Sequence, residues 1–229
     1  MKGLRPYILA LFSGLILILI YPNYLRLPLG CLAWIALVPL LAATKGDSPK
    51  RAFWKGATTG LGYLGILPWI VYCVTTYAEM SAAMGVTLLV LLTAVMAAYL
   101  GAAMAMTTYI TDRYNMPLII VFPICWVAIE LARSHFPFGG FTWAILGYSQ
   151  HKALPVIQIA EITGVYGVSA LVLMVNAAVY TGLAKYLLQK KPDWPSLEWL
   201  WEPWPCAWPS ALSASARWTA HSSPRKMSR

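Results

Sequence analysis

Residues 82–108 read AAMGVTLLVLLTAVMAAYLGAAMAMTT, an uncharged and mostly apolar run. A helix needs roughly 20 such residues to cross the hydrocarbon of a bilayer. This stretch is long enough to span with residues left over, by tilting or by projecting beyond the bilayer. The rest of the chain agrees with it. Of 229 residues, 59% are hydrophobic and 11% charged, with 8 acids against 17 bases; mean hydropathy is +0.63. A soluble domain carries about 25% charged residues. So few charges cannot coat a wetted surface, and the composition also excludes a disordered chain, collagen and a disulfide scaffold. The expected fold class is an all-α polytopic membrane protein.

Five further apolar runs, at about 7–21, 29–43, 57–75, 116–132 and 158–187, bring the expectation to about six transmembrane helices. The last is expected to begin as an interfacial segment. The first has the basic start of a signal peptide, with Lys2 and Arg5 before an apolar core. However, Tyr21-Pro22-Asn23-Tyr24 offers no small-residue cleavage site, so it is read as a retained helix.

The basic residues orient the spans. With a cytoplasmic N-terminus, the inner loops hold Lys2, Arg5, Lys45, Lys50, Arg51, Lys55, Arg113, Lys185, Lys190 and Lys191, and the outer loops hold Arg26, Arg133 and Lys152. That asymmetry follows the positive-inside rule. The net charge of +9 therefore belongs to loops that flank helices, and no nucleic-acid partner is expected.

Cys31, Cys73, Cys125 and Cys206 show no metal-binding spacing among themselves or with His135, His151 and His221. No metal and no cofactor are expected. There is no Gly-x-Ser-x-Gly, His-Glu-x-x-His or phosphate loop. Ser149 lacks a nearby base, and Cys125 has no electropositive neighbour to lower its pKa.

Ionisable groups within apolar runs are expensive and are functional candidates by default. Glu130 and Arg133 are three residues apart, so on a helix they share a face and can pair. Two readings stand: an interfacial ion pair that fixes the helix end, or a polar clamp for a lipid headgroup. Beyond them, residues 133–157 form an aromatic-rich outer-face segment. Pro137 and the Gly139-Gly140 pair break any helix there. Phe136, Phe138, Phe141, Trp143 and Tyr148 are of the types found at the membrane–water boundary. This segment reads either as a holder of lipid or as an inert aromatic belt. In the run 82–108, Gly85, Gly101, Ala102, Ala103 and Ala105 read as small residues for helix packing.

Several blocks resemble one family. Trp126-Val127-Ala128-Ile129-Glu130-Leu131-Ala132-Arg133 is followed by Gly140-Phe141-Thr142-Trp143, by Gly147-Tyr148-Ser149-Gln150 and by Gly164-Val165-Tyr166-Gly167-Val168-Ser169. Together with the run 32–40 and Pro68-Trp69-Ile70, they resemble the membrane region of apolipoprotein N-acyltransferase over about residues 1–190. Thr142 stands where that family usually has proline.

The resemblance implies a multi-pass protein of the bacterial inner (cytoplasmic) membrane. It implies transfer of an acyl chain from a phospholipid donor to the N-terminal cysteine of a diacylated lipoprotein acceptor, among other membrane lipids. The reaction passes through a thioester on an enzyme cysteine, with a Glu-Lys-Cys set in a nitrilase-like domain. The candidates for contact with substrate or lipid are Glu130, Arg133, Trp143, Tyr148, Gln150 and Tyr166. Trp143 and Tyr148 would flank the acyl or glycerol portion and Arg133 would meet a phosphate, held by Glu130. Gln150 would bond a headgroup or the catalytic domain, and Tyr166 would pack beneath that domain.

The family places its catalytic domain between a seventh and an eighth helix. Residues 192–229 instead contain six prolines and six tryptophans and no apolar run of spanning length. The chain is thus expected to divide into a membrane-helix domain, 1–190, and a disordered Pro/Trp/Ser-rich tail, 191–229. A frameshift near 192–200 and a genuine amphipathic tail are the two explanations of that tail. The family's Glu, Lys and Cys find no matching positions, so the expectation is a truncated chain, inactive alone, with no catalytic residue assigned. The rival reading is a non-enzymatic membrane scaffold or subunit that binds a soluble partner.

Overall fold

The computed structural model describes residues 4–21, 29–136 and 139–187; Pro137, Phe138 and the expected tail, with Cys206, lie outside them. The described residues are helical, with no strand among them. In chain order they form α1 (Arg5–Ile20), a 3-10 segment (Leu29–Trp34), α2 (Val38–Thr44), α3 (Pro49–Gly60), α4 (Tyr63–Ile66) and α5 (Trp69–Thr76). Then come α6 (Ala82–Tyr114), α7 (Leu118–Arg133), a second 3-10 segment (Leu146–Gln150), α8 (Leu154–Ile157) and α9 (Ala160–Leu187).

The start and stop signals are local. Ser81 caps α6, its hydroxyl accepting from the Met84 N–H at 3.4 Å, and Asn115 ends it in the left-handed conformation at φ 50°. Pro117 then sets the entry to α7. Pro49 occupies the first turn of α3, where its missing N–H costs nothing. A break at Gly164, φ 65° and ψ −174°, divides a short first turn of α9 from the rest.

Two helices, α6 and residues 160–186 of α9, are long and apolar enough to cross a membrane alone; a third span results if α3 to α5, bent by 47°, is counted as one. This is fewer than the six expected from hydropathy. The runs at 7–21 and 29–43 form shorter apolar pieces, and the third is divided by a bend at Pro68. Apolar content alone does not register such breaks, because it counts side chains and not backbone conformation.

Breaks inside an apolar bundle leave backbone groups that must find partners. Asn176 of α9, fully buried, provides them for the turn between the first 3-10 segment and α2. Its Oδ1 accepts from the Leu37 N–H at 2.8 Å, and its Nδ2 donates to Ala33 O at 2.8 Å. Ser13 of α1 accepts from the Leu40 N–H at 3.0 Å, and Thr59 of α3 donates to Ala10 O at 2.8 Å.

The tightest helix contact is between α3 and α6. Gly56 and Gly60 present a Gly-x-x-x-Gly edge to Ala97, Leu100 and Gly101. A Cβ at Gly56 would stand 2.6 Å from Leu100 O, and one at Gly60 would collide with Ala97. Small residues on both helices let the backbones approach, which substitutes for a hydrophobic drive in lipid. Gly101 and Gly85 thus act in packing, against Phe53 and Val71.

Lys55, placed in a loop by the sequence reading, sits inside α3 and is buried. It pairs with Asp47 and donates to Ala43 O at 2.6 Å.

Candidate functional site

The last turn of α7 meets the aromatic segment that follows it. Arg133 is 2% exposed. Its Nη1 donates to Trp143 O at 2.9 Å and its Nη2 to Ala144 O at 2.8 Å. Ala144 O also accepts from the Tyr21 hydroxyl at 3.0 Å, from the end of α1. One turn back on α7, Glu130 is 3% exposed. Its Oε1 accepts from the Leu146 N–H at 2.8 Å and from the Trp126 indole at 3.2 Å.

The two side chains do not pair with each other. No salt bridge joins them, whereas Lys55 and Asp47 form one elsewhere. The i, i+3 spacing places Glu130 and Arg133 on one face, but backbone groups of residues 143–146 lie above that face and take both charges. A carboxylate accepts N–H groups and a guanidinium donates to carbonyls, so neighbouring opposite charges fix opposite sides of one chain segment.

Backbone geometry follows from this grip. Phe141 N–H donates to Arg133 O at 2.8 Å, closing the return of the chain onto the helix end. Gly140 permits the return: its φ is +93°, and a Cβ there would collide with the Ser134 carbonyl. Ala144 has φ 56°, a left-handed conformation that costs a non-glycine residue about 1–2 kcal/mol and persists where its surroundings over-determine it. Two donors on its carbonyl provide that determination.

The second 3-10 segment is held in the same manner. Gly147 N–H donates to Ser169 Oγ at 2.9 Å, and Ser149 Oγ donates to Leu146 O at 2.7 Å. Gln150, 3% exposed, donates through Nε2 to Gly30 O at 2.8 Å and accepts at Oε1 from the Trp34 indole at 3.1 Å. Tyr166, half-buried, donates to Ser134 Oγ at 3.0 Å.

The six sequence candidates therefore divide. Glu130, Arg133 and Gln150 are buried and bind backbone. Trp143 is 58% exposed and Tyr148 44% exposed, and Trp143 rests on Trp69 with ring centroids 5.0 Å apart. Tyr166 lies between these groups in exposure and reaches the end of α7. The sequence reading did not single out Tyr21, Trp34, Ser169 or Asn176, whose roles depend on contacts more than 20 residues away along the chain. A polar group inside an apolar run was the signal available for Ser169 and Asn176.

The arrangement is a brace with an exposed aromatic ledge. Among the described residues, no cluster of His, Cys, Asp and Glu has metal-binding geometry. The Ser149 hydroxyl is engaged by Leu146 O, and Cys125 is a free, buried thiol.

Residues 13–178 match the family described as the apolipoprotein N-acyltransferase N-terminal domain. The apolipoprotein N-acyltransferase of Geobacter metallireducens is 39% identical over 192 residues, covering 83% of this chain and 36% of that protein. That of Chromobacterium violaceum is 34% identical over 160 residues, 69% of this chain and 30% of that protein. The enzyme of Pasteurella multocida is 29% identical over 194 residues, 84% of this chain and 35% of that protein. The chain thus spans about a third of the length of these relatives. With the match running through α1 to α9 and through the braced segment itself, the chain belongs to the apolipoprotein N-acyltransferase family, and what it shares with these relatives is their N-terminal, helical part.

Proposed function

We propose that this chain is the membrane-embedded part of an apolipoprotein N-acyltransferase of the bacterial inner membrane, and that it holds a phospholipid acyl donor at the Trp143–Tyr148 ledge. The acceptor would be the N-terminal cysteine of a diacylated lipoprotein. One observation carries this reading: two buried, charged side chains, Glu130 and Arg133, are committed to fixing a segment whose exposed members include a tryptophan and a tyrosine. Indole and phenol rings favour the boundary between acyl chain and headgroup, and a fixed ledge orders a lipid better than a free one.

In this reading Glu130, Arg133 and Gln150 are positioning residues, Trp143 and Tyr148 touch lipid, and Tyr166 supports the end of α7. The chain crosses six times with its N-terminus in the cytoplasm. Two sets of contacts support that count. Tyr21, Gly30, Arg133 and Gln150 belong to one hydrogen-bonded end. Residues of α2, α6, α7 and α9 line a cavity beside Lys45 and Asp112 at the other. Successive passes run between these two ends.

The 229-residue polypeptide alone is expected to transfer no acyl group, since its match is confined to the family's N-terminal domain and the described residues assemble no nucleophile with a base. Expression in cells depleted of their own enzyme tests this. The expected result is no rescue by the chain alone. The full-length relative 39% identical to it should rescue, and should lose most of that activity when its residue aligned with Trp143 becomes alanine. Rescue by the 229 residues alone overturns the reading. Rescue only with a separate soluble protein moves it to the scaffold class.

A further inference from the structure

At the end of the helices opposite the braced segment, a cavity of about 120 Å³ opens between α2, α6, α7 and α9. Two of the side chains lining it, Thr44 and Thr107, are 7% and 2% exposed, hydroxyls committed to the interior of an apolar bundle. The Thr44 hydroxyl donates to Leu40 O at 3.1 Å and that of Thr107 to Ala103 O at 2.8 Å. A hydroxyl has one proton and two lone pairs, so with their protons spent on the backbone both keep lone pairs to offer. The Thr111 hydroxyl oxygen is buried and has no hydrogen-bond partner. Tyr180 adds a half-buried phenol, and Asp112 an exposed carboxylate that forms no ion pair with a described residue.

Thr111 and Asp112 stand in the last turn of α6, the negative end of the dipole of a 33-residue helix. The lining is therefore rich in acceptors and in negative potential. Lys45, exposed, borders the same cavity and pairs with no described carboxylate. Its long stem lets the ammonium stand out in water, unlike Lys55, which is buried and bonded to Asp47.

We propose that this cavity binds an alkali-metal cation, Na⁺ or K⁺, as a clamp between the ends of α2 and α6. Hard cations take oxygen ligands, and a calcium site draws on several carboxylates; three threonine hydroxyls, a phenol and one carboxylate suit a single positive charge. The C-terminal ends of helices are used for the same purpose where membrane proteins hold Na⁺. Thr111, otherwise a buried polar atom left unpaired, gains its partner. The Lys45 charge opposes the ion and sets how tightly it is held. The site is separate from the Trp143–Tyr148 ledge and takes no part in acyl transfer, so failure of the proposed activity leaves it standing.

Melting of the full chain in detergent tests it, in NaCl, KCl and choline chloride at equal ionic strength. A saturable rise in melting temperature of about 2–4 °C over choline is expected from Na⁺, K⁺ or both, and the arm with the lower half-saturating concentration identifies the ion. Thr111→Val and Asp112→Asn should each abolish that rise. Lys45→Gln should keep it and lower the half-saturating concentration severalfold. Thr93→Val, which removes another unpartnered hydroxyl of α6 away from the cavity, should leave the response unchanged. Retention of ²²Na⁺ or ⁸⁶Rb⁺ by the immobilised chain, lost in Thr111→Val and kept in Thr93→Val, reads the binding directly.

An equal rise in all three salts overturns the proposal, since it is then an effect of ionic strength. So does an alkali-metal response that survives both Thr111→Val and Asp112→Asn. Loss of the response together with a lower melting temperature in Lys45→Gln also overturns it, for the lysine's own ammonium is then the cation of the cavity. Should Asp112→Asn fail to fold, the neutral Thr111→Val replacement decides the matter.

Discussion

α6 and the segment 139–150 solve the same problem in opposite ways. Both lie in a molecule with little water to satisfy backbone groups. α6 closes its own hydrogen bonds over 33 residues and needs side chains only at its ends and for close approach. The segment after α7 closes few of its own and borrows partners instead: Arg133, Glu130, Tyr21 and Ser169, drawn from α1, α7 and α9. A self-sufficient helix is stabilised piecewise and is insensitive to any single polar side chain. A borrowed backbone depends on each lender, and it gains a fixed, non-helical surface that a helix cannot offer.

The largest break in this comparison is expected from Arg133→Met. It removes donors to two carbonyls and leaves Glu130 as a buried carboxylate without its compensating cation. Losing one partner from a buried charged arrangement costs about 3–5 kcal/mol, which would appear as a lower midpoint when the chain is unfolded with SDS in mixed micelles. A loss under about 1 kcal/mol would mean the segment holds itself and the brace is incidental. Glu130→Gln sharpens the result: it keeps an acceptor for the Leu146 N–H, so about 1–2 kcal/mol is expected.

Gly60→Val attacks the self-sufficient side. α6 is indifferent to polar lenders but not to crowding, because a side chain at Gly60 has no room against Ala97. Overpacking a close helix contact costs about 2–3 kcal/mol, read in the same unfolding titration. Gly182→Ala on α9, where an added Cβ meets nothing within 4 Å, is the matched control and should have no measurable effect.

Asn176→Leu asks whether the turn between the first 3-10 segment and α2 belongs with the borrowed class. It leaves the Leu37 N–H and Ala33 O without their side-chain partners at a fully buried position. A loss of about 2 kcal/mol is expected, with protection of the Leu37 amide against hydrogen exchange reduced more than that of any amide in the middle of α6. Uniform loss of protection would instead make Asn176 a packing residue.

These effects also explain what was legible in the sequence. The run at 82–108 is legible as α6 because its stability is local: its own composition decides it, and the Ser81 cap and the Asn115 stop flank the helix directly. The Glu130 and Arg133 positions were legible as anomalies, charges at the end of an apolar run. Their partners were not, since helical spacing joins the two to each other, whereas the backbone of residues 143–146 comes between them from ten or more positions along the chain. The breaks at 35–37 and at Pro68 were hidden for the converse reason. Hydropathy sees an unbroken apolar run where the backbone turns, and the compensating groups, Asn176 and Ser13, stand on other helices. The acyl-transfer reading came from the motif blocks, not from any reactive geometry, and the braced segment is where those blocks converge.

The smallest effect is expected within α6, and its smallness is the point. Thr93 is 2% exposed, and its hydroxyl oxygen has no hydrogen-bond partner. If α6 needs nothing from its polar side chains, replacing that hydroxyl by a methyl group should remove an unpaired buried polar atom without opening a cavity. Thr93→Val is therefore expected to lie within about 0.5 kcal/mol of the unmodified chain, on the stabilising side. Thr107→Val removes a hydroxyl that donates to Ala103 O at 2.8 Å. That carbonyl already serves its helix, so the loss should stay below about 1 kcal/mol. A destabilisation by Thr93→Val equal to that of Asn176→Leu would show that Thr93 holds a partner within the bundle, a buried water or a lipid oxygen. α6 would then depend on a lender after all, and the distinction between the two regions would be one of degree.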